Sequence, residues 1–242
     1  MENNVEIKGL RVAITGGTSG LGLALVRRLA AEGARIAFVA RNNRAVELTA
    51  KETGAHGIVG DVGSKDDVYP IALQITGSLG GLDVLINNAS SLGPTPLAFL
   101  ADTACEDLEH ALAVNVLGAF RLTKALFGAL TASARNEGAA LVINISSDAA
   151  VNAYPGWGAY GASKSALHHL TAIWAEEARA DRVDFLSIDP GDMDTPLHAL
   201  AVPDADPAAL KRPEQSAGEI VDAMRVALSP RRRISSRCAH EC

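Results

Sequence analysis

Residues 15–22 read Thr-Gly-Gly-Thr-Ser-Gly-Leu-Gly, and they separate two different hydrophobic periods. Before them, residues 10–14 form a short continuous apolar run, the pattern of a buried strand. After them, Leu21, Leu25 and Leu29 recur at helical spacing. Gly33 then stands where a helix C-terminus favours a left-handed residue. Residues 35–40, Arg-Ile-Ala-Phe-Val-Ala, form a second apolar run. The first 40 residues therefore predict a strand, a glycine turn, a helix and a second strand.

The alternation continues along the chain. Helices are expected near 43–53, 65–78, 106–133, 158–179 and 214–228, and strands near 56–60, 82–87, 139–145 and 183–189. Val84-Leu85-Ile86 and Leu141-Val142-Ile143 are apolar at consecutive positions, as strands covered on both faces must be. Regular alternation of this kind predicts an α/β fold: a single-domain, doubly wound, Rossmann-type parallel β-sheet with helices on both faces. No Pro-, Gly- or Ser-rich linker and no repeat interrupts it, so residues 1–242 are expected to form one domain. Residues 191–213 carry Pro196, Pro203, Pro207 and Pro213, just after Pro190, and predict a long substrate loop with a short helix. Residues 229–242 form a basic tail, with an edge strand near Ile234 as its only expected regular structure.

Composition excludes several classes. Net charge is −6, which does not suggest a nucleic-acid surface. No positive-then-apolar leader is expected at residues 1–11, and no apolar run is expected to approach the roughly 18–20 residues that span a bilayer. Cys105, Cys238 and Cys242 fit no metal or disulfide pattern and read as free thiols of a cytoplasmic protein. His56, His110, His168, His169, His198 and His240 show no metal-ligand spacing, so no metal is expected. Of the adjacent pair His168 and His169, one is expected packed and one exposed. Gly17-Thr18-Ser19-Gly20-Leu21 fails the nucleophile elbow of serine hydrolases at its last position.

The glycine turn suits a dinucleotide. Gly16 permits the bend, Gly20 admits close approach of a pyrophosphate, and Gly22 lets the helix pack on the sheet. Free N–H groups of Thr18, Ser19, Gly20 and Leu21 at the helix start favour phosphate. The spacing is not that of a P-loop, because no Gly-Lys-Ser/Thr follows. The second strand ends at Ala40, followed by Arg41-Asn42. NAD binders place a carboxylate there for the ribose 2′-hydroxyl. A guanidinium instead suits a 2′-phosphate, which predicts NADP(H).

A second constellation lies downstream. Tyr160 and Lys164 are four residues apart on one expected helix, hence one turn apart on one face. An ammonium beside a phenol favours the phenolate and is expected to lower the phenol's pKa. Singly, Tyr160 reads as a packing residue, Lys164 as a solvated charge, Ser147 as a turn former and Asn115 as a polar residue within a helix. Their joint order is what argues for chemistry.

In that order the chain resembles the short-chain dehydrogenase/reductase family over about residues 8–228. The motifs are Thr15 to Gly22; Asp61-Val62; Asn87-Asn88-Ala89; Asn115; Ser147, thirteen residues before Tyr160; Tyr160-x-x-x-Lys164; and Pro190-Gly191-x-Met193-x-Thr195. The resemblance implies hydride transfer between NADP(H) and a carbonyl or secondary alcohol. Tyr160 would be the proton donor. Ser147 would hold the substrate oxygen, Lys164 would bond the nicotinamide ribose, and Asn115 would fix a water on Lys164. Asp61 and Val62 would border the adenine, and Asn88 and Ala89 the adenosine ribose. Pro190, Met193 and Thr195 would flank the nicotinamide carboxamide.

Two departures stand out: Ser90 replaces the family's usual glycine after Asn-Asn-Ala, and the Arg-rich tail replaces its usual C-terminus. Substrate contacts are expected from residues 91–95, 148–158 and 192–210, with Tyr154 and Trp157 forming an apolar wall and His198 within reach. Asp148, Asp192 and Asp194 disfavour a strongly anionic substrate. A non-catalytic NADP(H)-binding sensor or scaffold of the same fold is the alternative function. The expected partners are a small carbonyl or alcohol and a second copy of the chain, as a homodimer or homotetramer, with no nucleic acid and no membrane.

Overall fold

The computed structural model describes residues 5–229. Six strands form one parallel sheet: β1 (Arg11–Thr15), β2 (Arg35–Ala40), β3 (His56–Val59), β4 (Val84–Asn87), β5 (Ala140–Ile145) and β6 (Val183–Ile188). Their spatial order is β3-β2-β1-β4-β5-β6. The order reverses between β1 and β4, which opens a crevice at their C-terminal ends. The basic stretch 231–237 and its expected strand near Ile234 lie outside the described residues.

Alternate strand residues face alternate helix layers. Val12, Ile14, Val84, Ile86, Leu141 and Ile143 pack with Leu25 and Leu29 of α1 (Gly20–Ala31) and Ile220, Val221 and Met224 of α8 (Pro213–Leu228). Ala13, Val39, Leu85 and Val142 face the other way, toward Ile71 and Ile75 of α3 (Val68–Leu79) and Leu122, Leu126 and Leu130 of α5 (Ala119–Glu137). Each such side chain, fully buried, contributes about 1.5–3 kcal/mol by leaving water. The doubly wound sheet follows from that two-sided burial. α2 (Asn43–Thr53) follows β2, α6 (Gly158–Glu177) follows β5, and α7 (Pro196–Ala201) lies in the long loop after β6.

The long helix expected at 106–133 is interrupted. α4 (Cys105–Leu112) runs into a six-residue π-helical segment, Ala113–Gly118, before α5 begins. At Gly118 an added Cβ would lie 2.7 Å from the Val62 carbonyl oxygen, so the widened turn is packed directly against the β3–α3 connection. The continuous stretch Cys105–Glu137 is also, contrary to expectation, long and apolar enough to cross a membrane by length and composition. Half of its apolar window is buried within the protein, where Leu122, Leu126 and Leu130 are fully enclosed, so it packs as a core helix.

At the opposite sheet end, Arg11 clasps Asp83 through Nε (2.9 Å) and Nη2 (2.6 Å), tying β1 to the start of β4. Burial alone would raise the Asp83 carboxyl, but hydrogen bonds from Arg11 outweigh it and hold the group below its ordinary value.

Candidate active site

A cleft of about 780 Å³ opens along the C-terminal ends of the strands. That size suits a cofactor with a small substrate. Its floor begins at the glycine turn. Gly16 and Gly20 have positive φ (72° and 48°), which an L side chain would strain. A Cβ on Gly22 would lie 2.0 Å from the Gly16 carbonyl oxygen, so only glycine lets α1 start this close to β1. The first N–H groups of α1, which have no intrahelical partners, stand at the cleft.

Asn88 fixes this turn from below. Its amide donates to the carbonyls of Thr15 (2.9 Å) and Gly16 (3.3 Å). The Thr15 hydroxyl in turn accepts the N–H groups of Asn88 (2.9 Å) and Ala89 (3.0 Å). Asn88 therefore braces the turn as well as lining the cleft. Thr15 escaped the sequence-based site; its signal was a hydroxyl closing a buried strand at the turn.

The end of β2 forms a further part of the cleft wall. Arg41 follows β2, is exposed on the cleft wall, and has no ion-pair partner among the described residues. Asn42 caps α2 by accepting the Ala45 N–H at 2.9 Å. Asp61 turns one carboxylate oxygen to the Gly63 N–H (2.8 Å), and Val62 packs beside it at the cleft. These residues fit a dinucleotide with an extra phosphate: a glycine cradle, an unpaired guanidinium and no acid at the end of β2.

The opposite end holds Tyr160, Lys164 and Ser147. Tyr160 and Lys164 lie on α6, both buried, with the Lys164 Nζ 5.5 Å from the Tyr160 ring centroid. Nζ donates to the Ile145 carbonyl at 2.7 Å. Ser147 lies just past β5, its hydroxyl accepting the Ala149 N–H (3.2 Å) and donating to Asp148 (3.1 Å). Trp157 meets Tyr160 edge-on at 5.8 Å, and Leu92, Leu97, Ala149 and Leu197 complete an apolar wall. Tyr154 instead turns its hydroxyl to Asp148 at 2.7 Å.

Electrostatics correct one expectation. The Tyr160 hydroxyl is not lowered in this setting; burial pushes it up to about 12. Ser147 and Ser90 present hydroxyls that favour the phenolate, while Asp189 and Asp148 oppose it. Burial also pushes Lys164 down to about 8, with Asp189 pulling the other way. The reason is placement: Lys164 stands over the ring face with its Nζ–H donated to the Ile145 carbonyl, and burial is the largest influence on both groups.

Asn115 does not line the cleft. It lies behind it in the π-helical segment, and its side chain is fully engaged within the protein. Its amide donates to the Ser91 carbonyl and to Ser163 Oγ, both at 2.8 Å. Its Oδ1 accepts Ser91 N–H (2.7 Å) and Ser90 Oγ–H (3.2 Å). The side chain is thus a brace for the Ser91 backbone and the Ser90 hydroxyl.

Pro190, Met193 and Thr195 reach the cleft. The Pro190 carbonyl accepts Ser216 of α8 (2.9 Å), and Thr195 caps α7 by accepting His198 N–H (3.2 Å). His198 lies at the cleft wall, as do His110 and Asp189, two residues the sequence did not single out. Asp189 is legible afterwards as the acid just before Pro190-Gly191. His168 and His169 are both exposed, correcting the expected split, with His168 near Ser187 at 2.9 Å. No group of three metal-ligating side chains occurs among the described residues.

A switch-point cleft with a glycine cradle at one end and a Ser–Tyr–Lys set at the other defines a dinucleotide-binding α/β protein. Residues 11–206 match the family model described as short chain dehydrogenase, and the chain belongs to the short-chain dehydrogenase/reductase family. It is 32% identical over 230 residues to an uncharacterized oxidoreductase of Mycobacterium tuberculosis, covering 91% of this chain and 65% of that protein. The chain thus spans slightly less than two thirds of that relative's length. Among solved structures, it resembles a putative short chain dehydrogenase of Escherichia coli complexed with NADPH (TM-score 0.80, 26% identity, 94% of each chain). It also resembles the 3-ketoacyl-(acyl-carrier-protein) reductase of Brucella melitensis complexed with NADH (TM-score 0.83, 25% identity, 93% of each chain).

Proposed function

We propose that this oxidoreductase interconverts a small carbonyl compound and its secondary alcohol with NADP(H), acting as one domain. The observation that carries the reading is the meeting of two sets in one cleft: the glycine cradle, and Tyr160 with Ser147 beside its hydroxyl and Lys164 beneath its ring. When bound, the nicotinamide supplies or accepts the hydride. Tyr160 gives its proton to the substrate oxygen in reduction and takes it back in oxidation. Ser147 holds that oxygen at the phenol, so the reacting atoms are oriented before transfer. Lys164 adds a buried positive charge that steadies the phenolate once the proton has left.

Arg41 favours NADPH over NADH, by a charge-assisted bond to a 2′-phosphate that NADH lacks. The E. coli neighbour's NADPH agrees with this preference, and the Brucella neighbour's NADH makes it worth testing. The apolar wall of Trp157, Leu92 and Leu197, with Asp148, Asp189 and Asp192 at its rim, favours neutral or cationic carbonyls over anions.

The test is oxidation of NADPH and NADH, in parallel, over a panel of ketones and aldehydes. Wild type should turn over with NADPH preferred, and Arg41→Ala should erase roughly 10–100-fold of that preference. Tyr160→Phe should lower kcat by a factor of about 100 or more with cofactor affinity unchanged. Cofactor binding without turnover on any compound would instead favour the sensor.

A further inference from the structure

The loop after β5 sets a carboxylate directly against Ser147. Asp148 is exposed on the cleft wall, and each of its carboxylate oxygens takes one hydroxyl. Oδ1 accepts the Ser147 Oγ–H at 3.1 Å, and Oδ2 accepts the Tyr154 hydroxyl at 2.7 Å. The same serine oxygen accepts the Ala149 N–H at 3.2 Å. The Asp148 carbonyl accepts the N–H groups of Val151 (3.0 Å) and Asn152 (2.9 Å), which closes the turn. Ala149 packs in one apolar cluster with Tyr160, so a single turn sets serine and carboxylate on Tyr160's side of the cleft. No cation pairs with Asp148 among the described residues. Asp189, the acid after β6, is instead turned to its own loop, where Oδ1 accepts the Gly191 N–H at 2.9 Å.

A serine hydroxyl has one proton and two lone pairs. In Ser147 the proton points to Asp148, and one lone pair is taken by the Ala149 N–H. Only a lone pair is left for the cleft. A carbonyl oxygen is itself an acceptor, so Ser147 can hold it only if the proton leaves Asp148. A hydroxyl on the carbon next to the carbonyl resolves the conflict. It donates to Asp148 Oδ1 in place of Ser147, and the serine proton turns to the carbonyl oxygen. One donor replaces another, and no acceptor goes unpaired. We propose that Asp148 is a specificity residue that selects an α-hydroxy ketone, and the matching vicinal diol in the reverse direction, over a plain ketone.

The reach agrees. The two oxygens of such a substrate sit on adjacent carbons, about one hydrogen-bond length apart. Ser147 Oγ and Asp148 Oδ1 are themselves 3.1 Å apart, so the two pairs can meet side by side. Tyr154 supplies the orientation: by holding Oδ2 it leaves Oδ1 to the serine side. Trp157, Leu92 and Leu197 offer an apolar wall to the rest of the ligand. A site built to accept from a substrate hydroxyl discriminates against analogues that lack it, because its own polar groups are then left to compete for partners. Asp148 is exposed, so water competes for its carboxylate, and the discrimination belongs at the low end of the range for bonds to charged groups.

This inference rests on the proposed carbonyl reduction, and the test separates the two. The probes share one apolar body: α-hydroxyacetophenone; α-methoxyacetophenone, which keeps the oxygen but has no proton to give; and propiophenone. With NADP+ bound, so that no ketone can be reduced, the full wild-type chain should bind the hydroxy ketone about tenfold more tightly than the other two by calorimetric titration. With NADPH, kcat/KM should follow the same order. In Asp148→Asn the amide oxygen takes the Tyr154 hydroxyl and the amide N–H faces Ser147, so the preference for the hydroxy over the methoxy ketone should vanish. Tyr154→Phe frees the carboxylate to turn and should lower the preference without abolishing it. A merely structural role for Asp148 would weaken all the ketones together and leave their ratio unmoved. Equal binding of the hydroxy and methoxy ketones by wild type, binding of neither, or a tenfold ratio that survives in Asp148→Asn folded by circular dichroism overturns the proposal. If binding discriminates as expected and no ketone is reduced, the reductase reading fails and the selection by Asp148 stands.

Discussion

At the scale of single residues, Lys164 gives the most direct thermodynamic signature. Burial pushes its ammonium down to about 8 from an ordinary 10.5. As pH rises through 8 the native chain releases this proton, while the unfolded chain holds it until 10.5. The unfolded state binds more protons in that window, so stability rises with pH there. The gain by pH 10 is about 2–3 kcal/mol. Tyr160 acts in the opposite sense, but only above 10, because its native value is raised. Lys164→Met should remove the rise. It also leaves the Ile145 carbonyl without its donor, a cost that does not depend on pH. Urea unfolding at neutral pH and near pH 10 should show wild type gaining about 2–3 kcal/mol on the variant; a constant difference would mean the lysine is not desolvated as placed. The spacing of Tyr160 and Lys164 announced one shared face. It could not announce that the ammonium would be spent on a strand carbonyl, because which backbone groups a helix meets is decided by the β5–α6 packing. Asn115 is similar: its position was legible, but its four bonds to Ser90, Ser91 and Ser163 required the π-helical turn.

At the scale of elements, the turn between β1 and α1 was legible almost completely. Glycines at fixed offsets between an apolar run and a helical period leave few alternatives; β2 and β5 likewise follow from continuous apolar runs, and α2, α6 and α8 from the regular alternation of strand and helix. The interruption at Ala113–Gly118 was not legible, since it depends on close contact with Val62 rather than on local preference. The turn makes a sharp prediction. Gly22→Ala places a Cβ on the Gly16 carbonyl, so α1 must back away from β1 and its free N–H groups leave the cleft. The variant should lose about 1–3 kcal/mol of stability or more and roughly 100-fold in NADPH affinity, measured by thermal melting and fluorescence titration. Gly77→Ala is the matched control: it lies exposed inside α3 with open space around its Cβ position. It should raise stability by about 0.5–1 kcal/mol and leave affinity alone. Equal losses at both positions would mean that the turn does not hold α1 against β1.

At the scale of the whole molecule, we propose that a second copy covers one of the exposed apolar surfaces. Two faces compete. On α3, Tyr69 and Leu73 are 72% and 74% exposed. On the other side, α5 and α6 meet along an aromatic seam in which Trp174 contacts Phe120 at 6.1 Å and Phe127 at 5.3 Å, all half-buried. Leu117 at the head of that region and Ile173 beside Trp174 are 41% and 40% exposed. The seam is the better interface, because half-buried aromatics lose water cheaply on contact and already hold fixed orientations, which lowers the ordering cost of association. The two exposed α3 residues stand on one helix beside the exposed polar Gln74, a pattern that surfaces of monomers also show. Light scattering should therefore give about twice the chain mass of 25.1 kDa, or a multiple of it. Ile173→Glu, an exposed change that costs the fold little, should reduce the mass toward 25.1 kDa, since an unpaired carboxylate cannot be buried at low cost. Leu73→Glu should leave the assembly intact. The reverse outcome would move the interface to α3, and a wild-type mass of 25.1 kDa at micromolar concentration would reject self-association altogether.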